Sequence, residues 1–154
     1  MSVSIGDPAP DFSGETRDGA LALSDFAGKK LAVYFYPRDN TPGCTKQACS
    51  LRDSYSELGD AGIAIVGISG DSLKSHERFT EKYTLPFPLI SDPEKAIHEV
   101  FGAWGLKKMY GKEYMGTIRT TYLIDENGIV VDIINKPNTK DHGRQVLDRF
   151  AALG

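Results

Sequence analysis

The chain contains little cysteine, no long apolar run and no excess of positive charge. Only two of its 154 residues are cysteines, too few for the disulfide framework of a small secreted protein. No apolar run approaches the length of a membrane-spanning helix. The net charge is −3, and neither nucleic acid nor an anionic membrane attracts a protein of that sign. We therefore expect no nucleic acid and no membrane as partners, and small molecules or other proteins instead.

The N-terminal segment also lacks the features of a targeting sequence. Residues 1–8 have neither the basic n-region nor the apolar h-region of a signal peptide, so we expect a cytoplasmic protein. The hydrophobic content of 40% and charged content of 25% are typical of a globular chain of this length. We expect one domain over residues 1–154. In a reducing cytoplasm, a bond between the two cysteines would be transient.

Strand-like and helix-like segments alternate along the chain. The apolar runs at residues 30–36 and 63–69 predict buried, central, parallel strands. Residues 44–58 between them have the apolar spacing of one helix. The pattern predicts further helices over residues 72–83 and 139–152, and a third with Asp92 as N-cap and Pro93 at its first position. It also predicts a short strand at residues 89–91 and a hairpin over residues 120–134 that turns at Asn127 and Gly128.

This order of elements is typical of a thioredoxin-like α/β fold with extra elements near the N-terminus and in the middle. Residues 102–117 are predicted as a long loop, and loops of that length in a compact domain tend to be functional or disordered. The large side chains of this loop could form a hydrophobic collar around a substrate or simply pack the loop down: Trp104, Met109, Tyr110 and Met115.

The first cysteine falls where a helix is predicted to begin. Thr41 suits the N-cap position and Pro42 the first helical position, which places Cys44 in the first turn. Unpaired backbone N–H groups and the positive end of the helix dipole favour an anion there, and hence the reactive thiolate. Cys44 shares its helical stripe with Ala48, Leu51 and Tyr55, so we expect it to face inward as a candidate nucleophile.

The second cysteine is too distant for a bond within a regular helix. Cys49 follows Cys44 by five residues, which rotates it by about 140° and moves it ~7.5 Å along the axis. The two Cα atoms would then lie roughly 8 to 9 Å apart, beyond the ~7 Å limit for a disulfide. A bond between them therefore requires local unwinding of the helix, which suits a catalytic cycle better than a permanent brace.

Other interpretations of the cysteines remain open at this point. Cys44 could be a small buried apolar residue at a helix start, and the protein a thioredoxin-fold binding module or holdase with incidental cysteines. A metal site would have to combine the two cysteines with His76, His98 and His142, which fall in separate elements without a second paired spacing. A thioredoxin-type dithiol has two residues between its cysteines, whereas this chain has four.

The chain resembles the peroxiredoxins of the bacterioferritin-comigratory-protein, or peroxiredoxin Q, type over nearly its whole length. The residues that carry this resemblance are residues 6–12, 34–37, 41–53, 116–119 and 123–125. The Pro-x-x-x-Thr-x-x-Cys element at residues 37–44 is highly specific, and the second cysteine five positions later is typical of this subfamily. The resemblance implies a peroxiredoxin fold, which is a thioredoxin-like fold with a central mixed β-sheet flanked by helices and an N-terminal hairpin extension.

The resemblance also implies a thiol-dependent peroxidase that reduces hydrogen peroxide and organic hydroperoxides. Cys44 would be the peroxidatic cysteine, oxidised to a sulfenic acid, and Cys49 the resolving cysteine that forms an intramolecular disulfide with it. Thioredoxin or a glutaredoxin-type reductant would restore the thiols. No cofactor and no metal is implied. Because the chain has no cysteine after residue 49, intersubunit disulfides are not expected and a monomer is predicted.

Three further residues receive roles from the same resemblance. Arg119 would hold the thiolate and the peroxide through its permanently charged guanidinium, which has several N–H donors. Thr41 would turn its hydroxyl toward the Cys44 sulfur or a peroxide oxygen while capping the helix. Pro37 would shield the sulfur from water and over-oxidation.

Overall fold

A seven-stranded mixed sheet forms the centre of the structure, a computed structural model that describes residues 3–153. The strand order is β2-β1-β5-β4-β3-β8-β9, and β6 and β7 form a separate two-stranded sheet. The strands are β1 Ser13–Thr16, β2 Gly19–Ala22, β3 Lys30–Phe35, β4 Ile63–Ser69, β5 Leu89–Ser91, β6 Trp104–Met109, β7 Lys112–Thr117, β8 Thr120–Ile124 and β9 Val130–Ile134. The helices are α1 Pro42–Asp53, α2 Tyr55–Asp60, α3 Leu73–Tyr83, α4 Ala96–Phe101 and α5 His142–Ala151.

Strand β3 lies in the middle of the sheet and delivers the chain to the predicted site. It runs parallel to β4 and antiparallel to β8, and all but its first residue are buried. Because successive side chains point to opposite faces, Tyr34 and Tyr36 enter one core while Val33 and Phe35 enter the other. This two-sided burial explains the unbroken apolar run in the sequence.

The helices cover both faces of the sheet unequally. Side chains of α1, α2, α3 and α5 share one core with Tyr34 and Tyr36. Side chains of α4 fill the other core together with Phe12. The sheet therefore fixes α1 by its buried stripe, which contains Cys44, Ala48 and Leu51.

The thioredoxin-like α/β fold with a central mixed sheet and an N-terminal hairpin is confirmed. Strands β3 and β4 are parallel neighbours, β1 and β2 form the N-terminal hairpin, and β8 and β9 form the second hairpin. Helix α3 begins after Ser72, whose side chain accepts a hydrogen bond from the backbone N–H of Ser75. Gly128 takes a positive φ of 78° in the turn between β8 and β9. Within residues 3–153, no helix combines the length and the apolar character needed to cross a membrane.

The prediction of a long loop over residues 102–117 was wrong. These residues form the antiparallel hairpin β6–β7, with a turn at Tyr110 and Gly111, both at positive φ. Its strands are largely exposed and show no regular alternation of apolar and polar side chains that would mark a strand face. Met109, Tyr110 and Met115 are more than half exposed, so they do not pack the segment down.

Three helix boundaries also differ from the sequence prediction. The helix over residues 44–58 is two helices, because the backbone at Ser54 leaves helical geometry with ψ of 6°, and Tyr55 is consequently partly exposed. Helix α4 begins at Ala96 after Lys95, which has φ of 64°, so Asp92 and Pro93 lie in the preceding turn rather than at the helix start. The last helix begins at His142 rather than near residue 139.

Candidate active site

Cys44 lies in the first turn of α1 and faces the core. The helix begins at Pro42, immediately after Thr41, as the sequence predicts. The exposed fraction of Cys44 is only 2%, so its thiol lies at the base of the helix rather than on open surface. The partial positive charge at the helix N-terminus favours an anion on this sulfur. The structure thus places a single buried thiol where an anion is best stabilised.

Arg119 reaches this thiol from the start of the strand next to β3 in the sheet. It occupies the short link between β7 and β8, and its Nη2 donates a hydrogen bond to the Cys44 sulfur over 3.1 Å. The permanent positive charge stabilises a thiolate at this position, and the remaining N–H groups can donate to a bound oxygen.

Gln47 is part of the site although the sequence analysis did not single it out. It is fully buried one turn after Cys44, and its Oε1 accepts a hydrogen bond from Nη1 of Arg119. This second bond fixes the guanidinium while Nη2 remains on the sulfur. Its position three residues after the cysteine, on the same helical face, was the available signal.

Tyr34 lies in the same buried core as Cys44, and its position in an apolar run predicts only a core residue. Burial raises the pKa of its hydroxyl well above the usual value, and nearby Cys44 raises it further, so the hydroxyl stays protonated. Within the described residues, the Tyr34 hydroxyl and Nε2 of Gln47 are the two buried side-chain groups without a hydrogen-bond partner. Two donors without acceptors thus remain in the core near the cysteine.

Cys49 lies further along α1, and neither cysteine is in a disulfide. Its side chain is partly exposed, in contrast to buried Cys44, as expected from its rotation around the helix. Because both residues belong to one continuous helix, their spacing is too long for a disulfide in this conformation.

Thr41 adjoins the site without making the expected bond, and Pro37 follows the end of β3. Thr41 is the N-cap residue, but its hydroxyl donates to the carbonyl of Arg38 over 3.0 Å and does not cap the helix. Pro37 is exposed at the end of β3. It lines a cleft of about 380 Å³ together with Trp104 of the β6–β7 hairpin.

The three histidines are buried in separate hydrogen-bond networks. His98 pairs with Asp92 over 2.6 Å; burial opposes ionisation of this carboxyl, but hydrogen bonds from His98 prevail and lower the pKa of Asp92. His142 contacts Thr121 and Gln145. His76 lies with Asp39 and Asp71, with one potential ligand atom of each residue within 4.8 Å of the others. Because hydrogen bonds to the protein already use these atoms, no metal site follows from this cluster.

Comparison with known proteins gives a consistent result over nearly the whole chain. Residues 5–133 match the model of the AhpC/TSA family. The chain is 44% identical to peroxiredoxin Bcp of Bacillus subtilis, over 96% of this chain and 94% of that protein. A structure of Xanthomonas campestris bacterioferritin comigratory protein, described for its alkyl peroxide reduction activity, superposes with a TM-score of 0.85 at 36% identity over 92% of this chain and 90% of that one. A cysteine mutant of Xylella fastidiosa PrxQ gives a TM-score of 0.91 at 28% identity, over 99% and 98% of the two chains.

Proposed function

The chain belongs to the AhpC/TSA family and is a peroxiredoxin, a thiol-dependent peroxidase, and we propose that Cys44 is its peroxidatic cysteine. The observation that carries this proposal is the hydrogen bond from Arg119 Nη2 to the buried Cys44 sulfur. The Cys44 thiolate attacks one peroxide oxygen, the O–O bond breaks, and the other oxygen leaves with a proton as water or an alcohol. Cys44 becomes a sulfenic acid.

Arg119 stabilises both ends of this step. Before attack, its charge favours the thiolate; during attack, negative charge moves onto the leaving oxygen, which the remaining guanidinium N–H groups can bind. Gln47 restricts the guanidinium to one orientation, so little reorganisation is needed when the charge moves. Thr41 supplies a second donor once its hydroxyl rotates away from the Arg38 carbonyl, and Pro37 covers the approach to the site.

Cys49 is the resolving cysteine in this proposal. Its thiolate attacks the Cys44 sulfur, an S–S bond forms, and the sulfenic oxygen leaves as water. The helix unwinds locally to bring the sulfurs together, because the intact α1 holds them too far apart. An external dithiol of the thioredoxin or glutaredoxin type then reduces the disulfide.

The substrates follow from the same site and from its relatives. We expect hydrogen peroxide and organic hydroperoxides, in line with the alkyl peroxide activity described for the Xanthomonas campestris protein. No step of the proposed cycle requires a metal or a cofactor. We further propose that residues 1–154 act as a single domain and that the protein works as a monomer in the cytoplasm.

Peroxide consumption coupled to a thioredoxin system tests the assignment. The Cys44→Ser variant should lose consumption, whereas Cys49→Ser should turn over only with small thiols, because its sulfenic acid lacks an internal partner. Peroxide consumption by Cys44→Ser at the wild-type rate would contradict the assignment and would favour a binding module with incidental cysteines.

A further inference from the structure

Asp39 is the most extensively bonded residue of the segment that leads into α1. It is 8% exposed, and its Oδ1 accepts a hydrogen bond from the Tyr36 hydroxyl over 2.6 Å. Its Oδ2 accepts from Ser75 Oγ over 2.8 Å and lies 2.7 Å from Nδ1 of His76. Its backbone N–H donates to Asp71 Oδ2 over 2.8 Å. One residue thus makes four polar contacts.

The His76 ring is bonded on both sides. Its Nε2 lies 3.1 Å from the carbonyl oxygen of Ile90, and its Nδ1 lies 2.7 Å from the Asp39 carboxyl. Both side chains are almost completely buried. Breaking a hydrogen bond between buried groups is costly, because it leaves a polar group without a partner.

The partners of Asp39 do not include any residue of α1. Asp71 follows β4, Ser75 and His76 belong to α3, and His76 is bonded to β5. These elements need not move when the cysteine helix unwinds. By contrast, Ser50 and Arg52 belong to the helix that must unwind, so unwinding would break their polar contacts.

We propose that Asp39 is a positioning residue that holds the segment before Cys44 in place throughout the peroxidase cycle. This inference rests on the proposed function of Cys44 and Cys49. In the reduced enzyme the contacts of Asp39 keep the first turn of α1 against Arg119. In the disulfide form the same contacts persist, so Cys49 is the cysteine that moves. Asp39 then favours peroxide attack without opposing disulfide formation.

The Asp39→Ala variant separates these two effects. Its single-turnover oxidation by hydrogen peroxide should be at least tenfold slower, because the first turn of α1 is no longer fixed. Its disulfide equilibrium with a reference dithiol should change less than twofold, because the contact is lost equally from both forms. A tenfold change in that equilibrium, about 30 mV, would show that Asp39 releases on oxidation and would overturn the proposal.

Three variants complete the test. Ser72→Ala removes the N-cap of α3 but none of the contacts of Asp39, so it should lower stability and leave peroxide oxidation unchanged.

Arg52→Met removes a contact to the Tyr83 carbonyl that unwinding would break, so it should favour the disulfide severalfold. Asp39→Asn keeps the shape and can accept from Tyr36, so oxidation should slow three- to tenfold. If Asp39→Ala does not fold, the oxidation rate of Asp39→Asn tests the positioning role instead.

The outcomes distinguish the two proposals. Wild-type protein that consumes no peroxide would refute the proposed assignment of Cys44. Active wild-type protein together with Asp39 variants that oxidise at its rate would refute only the positioning role. Slower oxidation in Ser72→Ala, matching Asp39→Ala, would reduce the role of Asp39 to the stability of α3.

Discussion

Individual residues at the site differ in how far the sequence reveals them. Cys44 can be predicted as a nucleophile because a helix start is a local pattern that residues 41–44 contain completely. Arg119 stands 75 positions away, so only the family resemblance connects it with the sulfur. The sequence marks Gln47 only by its spacing from Cys44, and the role of Asp39 depends on partners from other elements. Local patterns define a reactive residue, whereas its surroundings require the fold.

Replacing Arg119 by Lys tests the need for a forked donor. Lysine keeps the charge but presents it at one point, so it cannot bind the Cys44 sulfur and Gln47 in the same geometry. We expect peroxide oxidation of Cys44 to slow by roughly 10- to 100-fold, measured by stopped-flow fluorescence. Arg144→Lys, at an exposed arginine of α5, is the matched control and should react at the wild-type rate. Equal oxidation rates for Arg119→Lys and wild type would show that the forked geometry of the guanidinium is not needed.

The lowered pKa of His142 predicts that the folded protein loses stability in mild acid. Burial lowers its pKa from 6.5 to about 4, and the charge of Arg119 adds to this, although the bond to Gln145 opposes it. In the unfolded chain His142 therefore binds a proton below pH 6.5, whereas in the folded protein it does so only below about pH 4. The contribution of this group to stability falls as pH decreases through that window, by about 2 kcal/mol at pH 5 relative to pH 7.

Urea unfolding at pH 7 and pH 5 measures this effect. The His142→Gln variant lacks the titrating group, so its loss of stability between the two pH values should be smaller than that of the wild type by about 2 kcal/mol. Identical losses in both proteins would show that His142 does not have the lowered pKa.

Among the elements, those with a clear burial pattern are predicted well and the others are not. The strands β3 and β4 are recognisable because both of their faces are buried. The β6–β7 hairpin is largely exposed, so no regular alternation of apolar side chains marks it. The break between α1 and α2 at Ser54 coincides with a close approach of α5. A Cβ on Gly143 would lie 2.4 Å from Ser54 Oγ and 2.8 Å from the Ser50 carbonyl oxygen.

This close approach predicts opposite effects for two glycine substitutions. Gly143→Ala should lower the free energy of unfolding by about 1 to 3 kcal/mol, because backbone atoms of α1 must move. Gly59→Ala lies in α2 with no atom near its added Cβ, and should raise that free energy by about 0.5 to 1 kcal/mol. Chemical denaturation measures both. Stabilisation by Gly143→Ala would show that α1 and α5 are not packed so closely.

At the scale of the whole molecule, the sheet brings the site together. Strand β3 leads to Thr41 and Cys44, and the antiparallel strand β8 beside it begins next to Arg119. Adjacent strands thus deliver residues that are distant in sequence to one point. The order of strand-like and helix-like segments predicts a thioredoxin-like fold, and the family resemblance adds the mixed sheet. Without that resemblance the contact could not be predicted, because it depends on register and on the path of the link between β7 and β8.

The central claim is that Cys44 reacts first and that Cys49 then pairs with it inside the same chain. One measurement tests it: intact-mass analysis and thiol counting after one equivalent of hydrogen peroxide. We predict an intramolecular disulfide without free thiols in the wild type, a trappable sulfenic acid on Cys44 in Cys49→Ser, and no reaction in Cys44→Ser. A sulfenic acid on Cys49, or a disulfide only between two chains, would contradict it.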